Sequence, residues 1–310
     1  MNMKNFNNKG AGTFSVLVII GFIVVIFFMW PSIGPYLGIT PIKTTTVPPT
    51  EGVVASGITY PSSITPQSTF GVSFLLQNNL NGKVASDIHL CLDNMGLFTL
   101  SSGNRCLTVP SLFAGGVLSE SYTLNSPPVS AYGNIPYVQT LGYYINFSYA
   151  SSSVQSLQFV SSNPSGTIPF PQTNSFDTTA GPLSITSSAQ QPVVYGQDAQ
   201  LNLNLKNVGN GIVIGLVNIV ISMNSSLINM TSASNYGFVP TTYANGTVAF
   251  SASRYLGQTG LSLILPVVLN SKEESKLSTS GVPYITSNIN FHISYAYEED
   301  GFFDIKLLTQ

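Results

Sequence analysis

The chain has 310 residues, room for one to three domains, and a formal net charge of -2. Only 7% of its residues are charged, against roughly 25% in ordinary soluble domains, so no basic face exists to neutralise phosphates and nucleic acid is not expected as a partner. The polar positions are Ser, Thr, Asn and Gln instead, and an aromatic fraction of 11% with many β-branched residues points to folded β-structure rather than disorder.

In chain order, the first predicted element is a helix. Ala11–Trp30 is a run of 20 residues without a charge, and at about 1.5 Å per residue it matches the hydrocarbon thickness of a bilayer. Lys4 and Lys9 precede it, and the next basic residue is Lys43. The positive-inside rule then puts residues 1–10 in the cytoplasm and everything after residue 30 outside. Pro31 and Pro35 end the helix. An uncleaved signal anchor is the reading adopted, with a cleaved signal as its alternative.

Residues 31–52, rich in Pro, Thr and Gly, read as an extended stalk. Two segments of single-domain size follow, 53–160 and 183–310, joined by a Pro- and Ser-rich linker over 161–182. Neither shows sustained helical period. Short alternating runs dominate: Leu201, Leu203 and Leu205 face one way while Asn202, Asn204 and Lys206 face the other, as in a half-buried strand. The run 86–93 buries Ile88, Leu90 and Leu92 by the same rule, and runs at 144–150 and 289–307 close the two segments.

The segments share more than their size. "LQNNLNGKV" (76–84) returns as "LKNVGNGIV" (205–213), and "INFSYA" (145–150) returns as "INFHISYA" (289–296). A common start, turn and end indicate duplication of one module. In each turn the Asn-Gly pair, Asn81-Gly82 and Asn210-Gly211, is expected to supply backbone with φ > 0. The fold class predicted is all-β: two tandem immunoglobulin-like β-sandwich domains, each with its own core, after one N-terminal transmembrane helix.

Two stretches carry a resemblance to known families. Val193–Ile212, "VVYGQDAQLNLNLKNVGNGI", resembles the CARDB-like and related immunoglobulin-like modules of archaeal surface proteins, which implies a fold and a surface setting but no chemistry. "NKGAGTFSVLVIIGFIVV" at the N-terminus resembles the class III signal of archaeal type IV pilins, which implies cleavage after Gly10 and a filament subunit.

Cys91 and Cys106 are the two cysteines. In an exported chain they are expected to form a disulfide. A metal site would need His89 beside them and a further ligand, and His292 lies in the other segment; no metal or cofactor is expected. Asn-x-Ser/Thr sequons at Asn146, Asn224, Asn229 and Asn245 are candidate glycosylation sites, with Asn146 pointing away from the core and Asn245 on a turn tip. Carboxylates gather at 298–304, where Asp300-Gly301 reads as a solvated hairpin tip, and at Glu273 and Glu274. No P-loop, GxSxG, GxGxxG or HExxH motif is present, so the chain is not expected to be an enzyme. The function predicted is a single-pass, membrane-anchored extracytoplasmic surface protein, structural or adhesive, with envelope proteins or glycans as partners and an oligomer possible. The alternatives are a minor pilin, a membrane glycoprotein of an archaeal virus, and a sugar-binding module using Tyr143, Tyr144 and Tyr236.

Overall fold

The computed structural model describes residues 52–80, 82–133, 135–162, 176–189, 191–197, 199–226, 233–280 and 284–309. The expected membrane helix, nearly all of the stalk, most of the 161–182 linker, Asn81 and Asn229 lie outside the described residues. No described helix is long and apolar enough to cross a membrane.

The first segment forms β1 (Val53–Thr59), β2 (Ser63–Ile64), β3 (Thr69–Asn78), β4 (Ala85–Leu92), β5 (Thr99–Leu100), β6 (Cys106–Leu112), β7 (Val117–Asn125) and β8 (Tyr137–Val160). The second forms β9 (Phe176–Ala180), β10 (Leu183–Ala189), β11 (Val193–Val194), β12 (Ala199–Asn207), β13 (Ile212–Asn224), β14 (Val239–Thr242), β15 (Thr247–Tyr255), β16 (Leu261–Val267), the helix α1 (Ser271–Ser280) and β17 (Ile285–Leu307). Two four-stranded sheets, β1-β3-β7-β5 and β9-β10-β12-β16, accompany a nine-stranded sheet ordered β14-β15-β13-β17-β8-β4-β6, with β2 and β11 added on β17 and β8.

The all-β class holds, but the halves do not stand apart as tandem modules. β8 and β17 pair antiparallel over their whole lengths, from Ile285 opposite Phe159 to Leu307 opposite Tyr137. At about 3.4 Å per residue each strand runs about 80 Å. Neither half therefore closes its own sheet; each supplies one side of a common one. The four-stranded sheets match in turn: β3 and β12 carry the repeated turn, and β1 and β10 flank them.

The centre of the β8–β17 ladder accounts for the repeated closing motif. Ser148 faces Ala296, Tyr149 faces Tyr295 and Ala150 faces Ser294. The sequence Ser-Tyr-Ala thus lies antiparallel to a second copy of itself, which places an approximate two-fold axis at the Tyr149–Tyr295 pair. These rings are 6.4 Å apart.

One face of the common sheet is buried. On β8 it carries Leu141, Ile145, Phe147, Tyr149, Leu157 and Phe159, and on β17 Ile289, Phe291, Ile293, Tyr295, Tyr297, Phe303, Ile305 and Leu307. All are odd-numbered, so the period of two puts them on a single side. Both smaller sheets cover that side: Phe74 of β3 meets Tyr143 edge-on at 5.1 Å, and Ser187 Oγ of β10 donates to Gln155 Oε1 of β8 at 2.8 Å. The core is consequently one hydrophobic cluster drawn from both halves. Leu201, Leu203 and Leu205 are buried in it, as are Ile88, Leu90 and Leu92, in line with their alternation.

Three local expectations are corrected. Asp300-Gly301 is no hairpin tip, because β17 runs straight through it, with Asp300 opposite Tyr144 and Gly301 opposite Tyr143; a Cβ at Gly301 would overlap the Tyr143 hydroxyl. Gly82 has the predicted left-handed φ of +71°, but Gly211 does not. Its glycine is required by close approach, since a Cβ there would overlap the carbonyl oxygen of Glu298. Finally, 271–280 is helical. Asn270 starts it by accepting Lys272 N–H through Oδ1 at 3.1 Å, and Glu273 pairs with Lys276 at 2.6 Å. With Leu277 as its apolar residue, this helix leaves too little period to read.

A candidate binding groove on the common sheet

The repeated turn is organised by its first asparagine. Asn78 is fully buried. Its Oδ1 accepts Leu80 N–H at 3.2 Å and the Tyr149 hydroxyl at 2.6 Å, while Nδ2 donates to Lys83 O and Leu112 O, each at 2.9 Å. Asn207 repeats the scheme. Its Oδ1 accepts Gly209 N–H at 3.1 Å and the Tyr297 hydroxyl at 3.3 Å, and Nδ2 donates to Gly211 O at 2.7 Å. Each half thus latches its turn to the long closing strand with an Asn–Tyr pair. Burial pushes the Tyr149 phenol above its ordinary value, against the opposing effect of the Asn78 hydrogen bond. Burial does the same to Tyr295 and Tyr122, and the Tyr122 hydroxyl donates to Leu90 O.

The other face of the common sheet is open. Along β8 and β17 it presents mostly short polar side chains, among them Ser148, Ser152, Asn288, Asn290 and His292. The duplicated turn reaches round to this face near one end, where Asn210, Gly211 and Ile212 border a groove of about 520 Å³. Register explains the hollow. Asp300 lies directly opposite Tyr144, and Tyr144 opposite Cys91. The next cross-strand row sets Phe302 against Gly142. Gly142 also exchanges backbone bonds with the stretch after β4: Asp93 N–H donates to its carbonyl at 3.0 Å and its own N–H donates to Asn94 O at 2.9 Å. Gly142 has no side chain, so a gap opens between Asp93, Tyr144, Asp300 and Phe302.

Cys91 and Cys106 form a disulfide across β4 and β6, with Cα atoms 4.0 Å apart. The Tyr144 hydroxyl lies 4.0 Å from Cys106 Sγ, so the bridge underlies one wall of the groove. Phe302 forms another wall and is 77% exposed. Thr140, at the rim, donates to Asp304 Oδ1 at 2.6 Å. Tyr143 instead turns to the core, against Phe74 and Phe303. Its phenol is raised by burial and then by the charges of Glu299 and Asp300.

The remaining candidate residues are dispersed. His89 bonds Thr108 at 3.2 Å and His292 bonds Ser152 at 3.0 Å; among the described residues no group of His, Cys, Asp and Glu converges to hold a metal ion. Asn224 and Asn245 are exposed, each with Oδ1 accepting the N–H two residues on, at 3.0 Å. Asn245 sits on the turn between β14 and β15. Asn146 is on the open face but half-buried between β4 and β17, and its amide oxygen is covered and without a partner. Tyr236 is exposed and stands outside the groove.

No family model matches the chain, and no curated protein matches it. Among solved structures it is similar to native alpha-2-macroglobulin from Escherichia coli, from domain MG7 to the C-terminus, at 11% identity and a TM-score of 0.25, over 62% of this chain and 27% of that one. A chain described as pT26-6p is similar at 10% identity and a TM-score of 0.25, over 81% of this chain and 66% of that one. This chain therefore spans about a quarter of the first structure's length, and likenesses at these scores carry no argument about role.

Proposed function

We propose that the protein is a non-enzymatic, extracytoplasmic surface protein, held in the membrane by residues 11–30 and serving structural or adhesive contacts. In this reading its two immunoglobulin-like halves, fused through the common sheet, stand on the 31–52 stalk, and Asn224 and Asn245 are the sequons best placed to carry glycans. The observation that carries the proposal is the Cys91–Cys106 disulfide in a chain whose residues 11–30 are a 20-residue run without a charge. A disulfide persists in an oxidising compartment, and such a segment delivers and retains a chain there. The open sheet face supports the contact role, because hydroxyls and amides form directional hydrogen bonds with a partner surface.

Protease added to intact cells tests the location. The region 53–310 is expected to be lost while a cytoplasmic marker survives; survival of 53–310 under conditions that strip other surface proteins removes the proposal. Sequencing the mature N-terminus separates an anchor, with Met1 intact, from a pilin-like subunit starting at Ala11.

A further inference from the structure

Asp93, Glu298 and Asp300 line the groove beside Asn210. They are a quarter of the twelve acidic residues in the whole chain. Among the described residues that line it, none is Lys or Arg. Glu298 and Asp300 stand two residues apart on one strand, so both side chains project to the same face. A chain that carries so few charges thus gathers three carboxylates in one hollow, with no cation among the described residues that line it. The hollow is also walled by aromatic rings: Phe302 is more exposed than any other large apolar residue described, with Tyr144 across from Asp300.

We propose that this groove binds an organic cation, an alkylammonium or guanidinium group, with the carboxylates of Asp93, Glu298 and Asp300 accepting its N–H bonds and the Phe302 and Tyr144 rings flanking it. Three physical arguments select that chemistry. A ring face attracts a cation through its quadrupole, most strongly where water is displaced. Charge-assisted bonds from N–H groups to carboxylates are the stronger kind, and the guanidinium fork fits them in pairs. A neutral sugar, in contrast, would cover three carboxylates without compensating their charge. An inorganic ion would leave the aromatic walls without a role, and the carboxylates do not converge as metal ligands. The volume of about 520 Å³ accommodates a Lys or Arg side chain with its adjoining backbone.

The inference does not depend on the location proposed above, since binding is measured on purified protein. The full chain in a neutral detergent is titrated calorimetrically at low salt with a tri-arginine peptide, spermidine, calcium chloride and cellotriose. Tri-arginine and spermidine are expected to bind, and raising the salt to about 0.5 M should weaken them at least tenfold. Asp300→Asn and Glu298→Gln should each weaken binding about tenfold, and Phe302→Ala several-fold. All three alter exposed or half-exposed side chains, so an unchanged thermal midpoint will show that the fold is retained. Tighter binding of tri-arginine assigns the cation to a partner protein's side chains, and tighter binding of spermidine to a free polyamine; both support the proposal. Cation binding that persists in the Asp300→Asn/Glu298→Gln double variant overturns it. So does cellotriose binding that survives neutralisation, binding of calcium alone, or binding of none of the four.

Discussion

Asn78 shows how much one buried side chain can organise. It satisfies four partners with one amide, and three of them, on Leu80, Leu112 and Tyr149, belong to buried residues. Asn78→Ala should therefore destabilise by about 3 kcal/mol, read from the urea midpoint, whereas Tyr149→Phe, which leaves the amide in place, should cost about 1 kcal/mol. A second expectation follows from the phenols. Tyr122, Tyr149 and Tyr295 are raised by burial above the ordinary value of 10.0, so folding favours their neutral forms. Their stabilising effect is complete below about pH 10 and is lost as the pH rises beyond it, where unfolded tyrosines ionise first. The last step in tyrosinate absorbance, from the buried phenols, should coincide with the loss of ellipticity above pH 10, and Tyr149→Phe should lessen the alkaline loss of stability. The sequence displayed the recurrence of Asn78 as Asn207. It did not disclose that this residue, rather than the Asn-Gly pair downstream, shapes the turn, because its hydroxyl partner lies 71 residues away.

At the scale of elements, alternation revealed which strands exist and which way they face, as for β12 and β4. It did not reveal where strands stop. Asp300-Gly301 has turn composition, yet the Tyr143 phenol occupies the space beside Gly301 and β17 continues. Gly211 is the parallel case in the duplicated turn, where a backbone oxygen rather than a dihedral excludes a side chain. Gly211→Ala should cost about 2 kcal/mol through forced displacement of β17. Gly82→Ala, with open space around it but a left-handed φ, should cost about 1 kcal/mol. Thermal unfolding of the two variants checks that order. The groove was half legible: Tyr144 and the 298–304 carboxylates stood out in the sequence, but Asp93 and Gly142 join them through register alone.

For the whole molecule, duplication was readable and its consequence was not, because no sequence pattern of period two states which strand pairs with which. The common sheet makes the halves interdependent. Calorimetry should record a single transition for the described region, where two tandem modules would give two. A variant weakened in one half, such as Asn78→Ala, should lower the melting of both. The Ser-Tyr-Ala ladder carries a last implication. An antiparallel contact between identical motifs is the signature of an isologous interface, the kind by which two copies of a chain associate around a two-fold axis. Covalent linkage of the copies makes that association independent of concentration and frees each to diverge. One border of the acidic groove comes from the second half's turn and the opposite border from the stretch after the first half's β4, so an exact two-fold relation would set an equivalent position in the other half.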